Sequence, residues 1–197
     1  QEGKEAIILR SDLDELQATG KSLMPEGLER DLTQQDLADL IAYFQGLSTP
    51  PKKFAGNQPQ VVRPSSDGLL LLPATAAAIY GRDIAFEETF QNVGMWHGES
   101  DLVVWDFELD DDRRYEVLLD YACDNPSAGN HFQLDAQGAN LQGQIRGTGG
   151  WDRYRKMRVG SLTLRKGKGQ LTVRPAGPVQ GALVDLRQIK LVPQDEE

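Results

Sequence analysis

Tyr115-Glu116-Val117-Leu118-Leu119-Asp120-Tyr121-Ala122-Cys123 is the stretch that decides the fold. Tyr115, Val117, Leu119, Tyr121 and Cys123 fall on every second position, so an extended chain puts all five on one side. A helix would scatter them around its circumference. The same period continues on both flanks. Val103, Trp105, Phe107 and Leu109 precede it; Phe132, Leu134 and Ala136, then Leu162 and Leu164, then Leu171 and Val173 follow. Turn-forming clusters separate these runs: Asp110-Asp111-Asp112, Asp124 to Ser127, Gln137 to Asn140, Gly147 to Gly150, Arg165 to Gly169 and Pro175 to Gly181. Short strands at this spacing, with no helical stretch among them, predict a mainly β chain folded as a β-sandwich over 61–197. Trp105, mid-strand among apolar neighbours, belongs to its core.

Upstream the pattern changes. Residues 1–47 read as a short strand, Ala6 to Leu9, followed by helical pieces. Ser11 with Asp14, and Thr33 with Asp36, have the spacing of helix N-caps. Leu37, Leu40, Ile41 and Phe44 then form one apolar stripe. A segment this short cannot bury that stripe within itself, so it is expected to lean on another surface. Residues 48–60 carry three prolines and no periodicity, and read as a proline-rich linker.

The chain of 197 residues carries a net charge of −9, which repels a phosphate backbone and argues against nucleic-acid binding. Its one basic stretch, with nine Lys and Arg against Asp152 between Arg146 and Arg174, reads as a solvated strand face. No apolar run is long enough to insert into a membrane. A single cysteine, Cys123, excludes an internal disulfide and a cysteine-based metal cluster, so no metal site is expected. His97 and His131 have no spaced partner for metal or nucleophilic chemistry. Ser127, Ser161 and Cys123 lack a nucleophile-elbow context, and Gly147 to Gly150 is not followed by the Lys-Ser/Thr and helix of a phosphate loop. Glu87-Glu88, or Asp101 with Asp106, pair as carboxylates only on paper. The chain is therefore expected not to be an enzyme and to have no catalytic residue.

Binding is the better-supported chemistry. Trp151 follows two glycines at the start of a strand, where an exposed indole could stack on the apolar face of a sugar. Trp96, beside His97 in a loop, is a second such position, with Tyr154 as its alternative. His97, Glu99 and Asp152 stand close in sequence to supply hydrogen bonds to hydroxyls. The opposing reading of both tryptophans is burial in the sandwich core.

Two resemblances bear on function. Ser22 to Leu28 (Ser-Leu-Met-Pro-Glu-Gly-Leu) and Leu32 to Tyr43 resemble the end of the haem-binding domain of large bacterial membrane-bound dehydrogenase-like proteins. This implies Met24 as the distal haem ligand in an intact parent domain, and haem c for that parent. It also implies an extracytoplasmic location, periplasmic or secreted, and an oxidoreductase parent. Covalent attachment needs Cys-x-x-Cys-His, which this chain lacks, so no cofactor is expected here. Segment 1–47 then reads as a remnant of a c-type cytochrome domain.

The second resemblance, over Leu69 to Pro193, is to carbohydrate-binding modules of family 6 and their relatives. It rests on Ala77 to Gly81, Val93 to Trp96, Val104 to Phe107, Tyr115 to Ala122, Thr148 to Tyr154, Gly160 to Gly167 and Ala182 to Leu186. It implies a galactose-binding-like jelly roll and a glycan as partner, together with the other domains of a multidomain protein. Two positions depart from that pattern. Ala74 to Ala78 stand where acidic residues help hold a structural calcium, and Leu183 stands where several members place a sugar-binding asparagine. The expectation is a non-catalytic carbohydrate-binding module. The alternative is a structural sandwich that docks partner domains and binds no sugar.

Overall fold

The computed structural model describes Thr33 and residues 49–194. The chain divides into two units between Ser48 and Thr49. The strand, helices, apolar stripe and Met24 expected within 1–47 lie outside the described residues.

Eleven strands follow in the second unit: β1 (Leu70–Pro73), β2 (Ala78–Tyr80), β3 (Ala85–Glu87), β4 (Asn92–Gly94), β5 (Leu102–Leu109), β6 (Arg113–Cys123), β7 (His131–Ala136), β8 (Ala139–Gln144), β9 (Gly150–Leu164), β10 (Gly167–Pro175) and β11 (Asp185–Pro193). One sheet runs β3-β4-β11-β6-β9, with β1 also paired to β11; the other runs β2-β5-β10-β7-β8. All strand pairs are antiparallel. The result is the two-sheet sandwich predicted from the alternation, with the jelly-roll-like topology that the resemblance implied.

The inward positions are the ones the period picks out. Tyr115, Val117, Leu119, Tyr121 and Cys123 of β6 face Trp105, Phe107, Leu134, Leu171 and Val173 in one core, all essentially without solvent contact. Leu70 and Leu72 of β1 are buried between them while Leu71 stays exposed, so even an all-leucine run is read by the pleat. Pro73 closes β1, and its carbonyl accepts a 2.7 Å hydrogen bond from the Trp105 indole.

The proline-rich segment is fastened to the sandwich. Lys52 N donates to Ile79 O at 2.8 Å, and its ammonium caps the Ile84 carbonyl at 2.6 Å. Asn57 is buried, its amide nitrogen bonded to the carbonyls of Ala74 and Ala77 at 2.9 and 3.0 Å. A linker composition does not reveal such an attachment, because the bonds are made by one buried amide and by backbone groups. Ala74, Ala76 and Ala77 are themselves buried around a single 3-10 turn.

Two register irregularities shape one end of the first sheet. In the β6–β9 ladder Tyr121 pairs with Arg155 and Cys123 with Gly150, so Trp151 to Tyr154 stand opposite Ala122 alone. Four residues opposing one must arch out of the ladder, and that arch carries Trp151 and Asp152. In the β6–β11 ladder the register slips between Leu186 and Gln188, which displaces Arg187. The displaced Arg187 lies over the Tyr154 ring, 3.4 Å from its centroid.

Candidate functional site

The end of β6, the starts of β9 and β11, and the β3–β4 hairpin converge at that end of the sheet, because Asp185 pairs with Ala122, Gly150 with Cys123, and Val93 with Leu186. Between them lies a cleft of about 610 Å³. Its walls are Trp151, Phe90 and Met95. Its polar lining is Glu87, Asp124, Asp152, Asp185, Ser127 and His97, with Gly181 and Ala182 along the rim.

Each wall has a local cause. Phe90 sits at the tip of the β3–β4 hairpin and is 43% exposed. Met95 has φ of 60°, a left-handed backbone that costs a non-glycine residue about 1 kcal/mol. This turn separates two neighbours: Met95 remains in the cleft, 48% exposed, while Trp96 plunges into the core. Trp151 is half-buried, its inner edge packed on the core.

The loops are tied to one another beneath the walls. Asn130, nearly buried, donates through its amide nitrogen to Gln180 O at 2.8 Å and Ala182 O at 3.1 Å, and accepts from Gln180 N at 2.8 Å. It thereby joins the β6–β7 loop to the β10–β11 loop. Thr148 does the same for β6 and β9: its hydroxyl accepts from Cys123 N at 2.9 Å and donates to Cys123 O at 3.0 Å. Asp124 is oriented by accepting from Ser127 N at 3.0 Å.

The floor is acidic. Gly94 has no side chain, and a Cβ there would collide with carboxylate oxygens of both Glu87 and Asp185. The missing Cβ lets the two carboxylates approach each other. Asn92, fully buried, donates to Glu87 Oε2 at 2.8 Å, which leaves its own Oδ1 without a hydrogen-bond donor. Asp185 is 8% exposed, and among the described residues its carboxylate has neither a hydrogen bond nor an ion pair. Burial, then the charges of Glu87 and Asp124, push it up to about 7. The Tyr154 phenol is pushed up to about 12, by burial first and by Asp185 next.

These shifts give a stability expectation. A carboxyl at about 4 in the unfolded chain and about 7 in the fold binds its proton more tightly when folded. The fold therefore loses stability as pH rises from about 4 to 7, and the loss is complete above 7. Asp185→Asn, which keeps the shape without the charge, is expected to stabilise the chain at pH 8 by roughly 1–3 kcal/mol, discounted for screening at the open mouth. Near pH 4 the gain vanishes. Urea denaturation at both pH values checks it; an equal effect at the two would contradict the buried charge.

The structure sorts the residues singled out from sequence. Trp151, His97 and Asp152 line the cleft together. His97 is exposed, with Nδ1 2.7 Å from Gly181 O. Trp96 does not line it and needs correcting: it has no exposed surface, and its indole donates to Val93 O at 2.9 Å. A ring with no free face cannot wall a sugar. Tyr154 is not a wall either, since its ring is covered by Arg187 and its hydroxyl is buried without a partner. Glu99 lies exposed on the β4–β5 connection and does not reach the cleft lining. Asp101, paired on paper with Asp106, is a buried turn-former that accepts from the backbone of Arg82, His97 and Gly98.

Phe90, Met95, Asp124 and Asp185 escape a sequence reading as site residues, and Glu87 enters it only paired with Glu88, which does not line the cleft. Asp185 alone leaves a signal there, as an acid inside the apolar run Leu183-Val184-Asp185-Leu186. Among the described residues no group of three or more His, Cys, Asp or Glu is arranged to hold a metal ion, and no helix is long and apolar enough to cross a membrane.

Solved structures share this architecture. A family 35 carbohydrate-binding module from Clostridium thermocellum superposes with a TM-score of 0.54 at 14% identity, covering 62% of this chain and 96% of that one. The fold is a jelly roll of the kind seen in such modules. A second family 35 module, solved in complex with a glucuronic-acid-containing disaccharide, matches with a TM-score of 0.52 at 16% identity, over 62% of this chain and 91% of that one. The Cry4Aa larvicidal toxin of Bacillus thuringiensis carries the same architecture in part, with a TM-score of 0.55 at 11% identity over 70% of this chain and 25% of the toxin. At these identities the likeness is one of fold. No family model matches the sequence, and no curated protein does.

Proposed function

We propose that the chain is a non-catalytic carbohydrate-binding module whose site is the loop-end cleft. The observation that carries this reading is the cleft itself: a concave space with an indole, a phenyl ring and a thioether on its walls and hydrogen-bonding groups on its floor. A sugar presents the complementary surfaces, an apolar ring face and a rim of hydroxyls. Trp151 is the stacking platform; Asp152, His97 and Asp185 fix orientation. A small ligand that must shed well-made water bonds binds with a dissociation constant of roughly 10⁻⁵–10⁻³ M.

The resemblance of residues 1–47 to the end of a c-type haem domain supports a place for this module in a larger extracytoplasmic, haem-containing protein. No haem step is assigned to the chain itself. Attachment needs two thiols, and Cys123, the one cysteine, is buried at the end of β6 with its thiol pushed up to about 11 by burial, Asp124 and Asp185. One observation favours the competing reading of a docking module that binds no sugar. Leu183, standing where a sugar-binding asparagine is expected, is fully buried.

Titrating soluble oligosaccharides into the isotopically labelled chain separates the two. Shifts are expected at the amides of Met95, His97, Ser127 and Asp152 and at the Trp151 indole N–H, with the buried indoles of Trp96 and Trp105 unmoved. No response to a broad panel of neutral and charged sugars would leave the docking reading in possession.

A further inference from the structure

The cleft has a charge that its fold does not explain. Four carboxylates line it, Glu87, Asp124, Asp152 and Asp185, and among the described residues no Lys or Arg does. Arg187, two residues after Asp185, is engaged with other groups: it covers the Tyr154 ring and donates to Phe90 O at 3.2 Å. Asp185 stands out among the four, being more than nine-tenths buried, open to the cleft and, among the described residues, without a hydrogen bond or ion pair. Glu87 is held in place by Asn92, which lies outside the cleft lining and donates to Glu87 Oε2 at 2.8 Å. A mostly buried carboxyl group without a donor, with Trp151, Phe90 and Met95 lining the same cleft, describes a receptor for a compact cation. An ammonium offers three donors to the floor and a positive charge to the aromatic faces.

Resting on the carbohydrate reading above, we propose that the cleft selects an amine-bearing sugar of the glucosamine type, its ammonium seated over Asp185 and Glu87 and its ring against Trp151. An anionic sugar meets an acidic lining without a basic group, and an N-acetylated one brings a single neutral N–H in place of three donors and a positive charge. The elevated proton affinity of Asp185 agrees with a site whose counter-charge arrives with the ligand. Glu87 on β3, Cys123 at the end of β6, Asp124 after it and Tyr154 on β9 are the other ionisable groups bearing on it.

Calorimetry on the full chain at pH 6.5, with chelator present, tests this with three probes: the glucosamine disaccharide, its N,N′-diacetyl form and a glucuronate-containing disaccharide. Short ligands matter because a chain of net charge −9 attracts any polycation. The amine is expected to bind at least about tenfold more tightly than the acetylated form, with affinity falling as salt rises. Asp185→Asn and Glu87→Gln should each bring that ratio close to one. Equal or tighter binding of the acetylated sugar overturns the proposal while leaving a carbohydrate site intact. So does a preference for the amine that survives both substitutions, which would mark diffuse attraction. Binding of the glucuronate probe when calcium replaces the chelator overturns it in favour of a metal-bridged anion. Silence from all three probes, and from the wider sugar panel, removes the carbohydrate reading itself.

Discussion

Replacing Trp96 with alanine is expected to destabilise the chain by about 3–5 kcal/mol without touching a binding surface. The indole is fully buried between the sheets, and its N–H satisfies the Val93 carbonyl. Truncation removes the apolar burial, leaves a cavity and orphans that acceptor. For a sandwich of this size the melting temperature should drop by roughly 10–20 °C. Phenylalanine at the same position should recover most of the packing and not the hydrogen bond. Thermal and denaturant unfolding of both variants decide the point. A loss of less than about 1 kcal/mol, coupled to weakened sugar binding, would return Trp96 to the role its sequence context suggested.

That context shows where sequence ceases to be informative. Met95-Trp96-His97 reads as a loop bearing an aromatic residue, and an indole in a loop is a fair binding candidate. The deciding fact is the backbone of Met95: at φ of 60° the chain reverses, Trp96 turns inward and Met95 takes the surface. No composition or period announces a left-handed methionine. Strand faces are another matter. Tyr115 to Cys123 and Val103 to Leu109 could be read residue by residue, because a pleat converts position parity directly into burial.

Trp151 was legible for the same reason that Tyr154 was misleading. Two glycines mark the arch, whereas the four-against-one register that buries Tyr154 under Arg187 depends on how β6, β9 and β11 pair. The acidic floor is non-local altogether. Glu87, Asp124 and Asp185 come from three strand ends far apart in sequence, and only the antiparallel register gathers them. Asn57 belongs to the same class, a polar residue in a proline-rich stretch whose partners lie across a 3-10 turn.

Trp151→Ala is expected to abolish sugar binding and spare the fold. The indole is half-buried, so its loss removes some packing, about 1 kcal/mol or less given the free outer face. It is the largest aromatic ring lining the cleft, and neither Phe90 nor Met95, which also line it, offers an equal stacking face. Hot-spot aromatics of this kind cost roughly 2 kcal/mol or more when truncated, at least thirtyfold in affinity. For a ligand already in the micromolar to millimolar range that is loss beyond detection. Leu71→Ala, an exposed strand residue away from the cleft, serves as the matched control. The most direct measurement is calorimetric titration of the tightest-binding sugar into the unaltered chain, Trp151→Ala and Leu71→Ala, each first shown to unfold cooperatively. Binding retained by Leu71→Ala and absent from a folded Trp151→Ala is the predicted result. Undiminished affinity in a folded Trp151→Ala would place the sugar elsewhere and contradict the site described above.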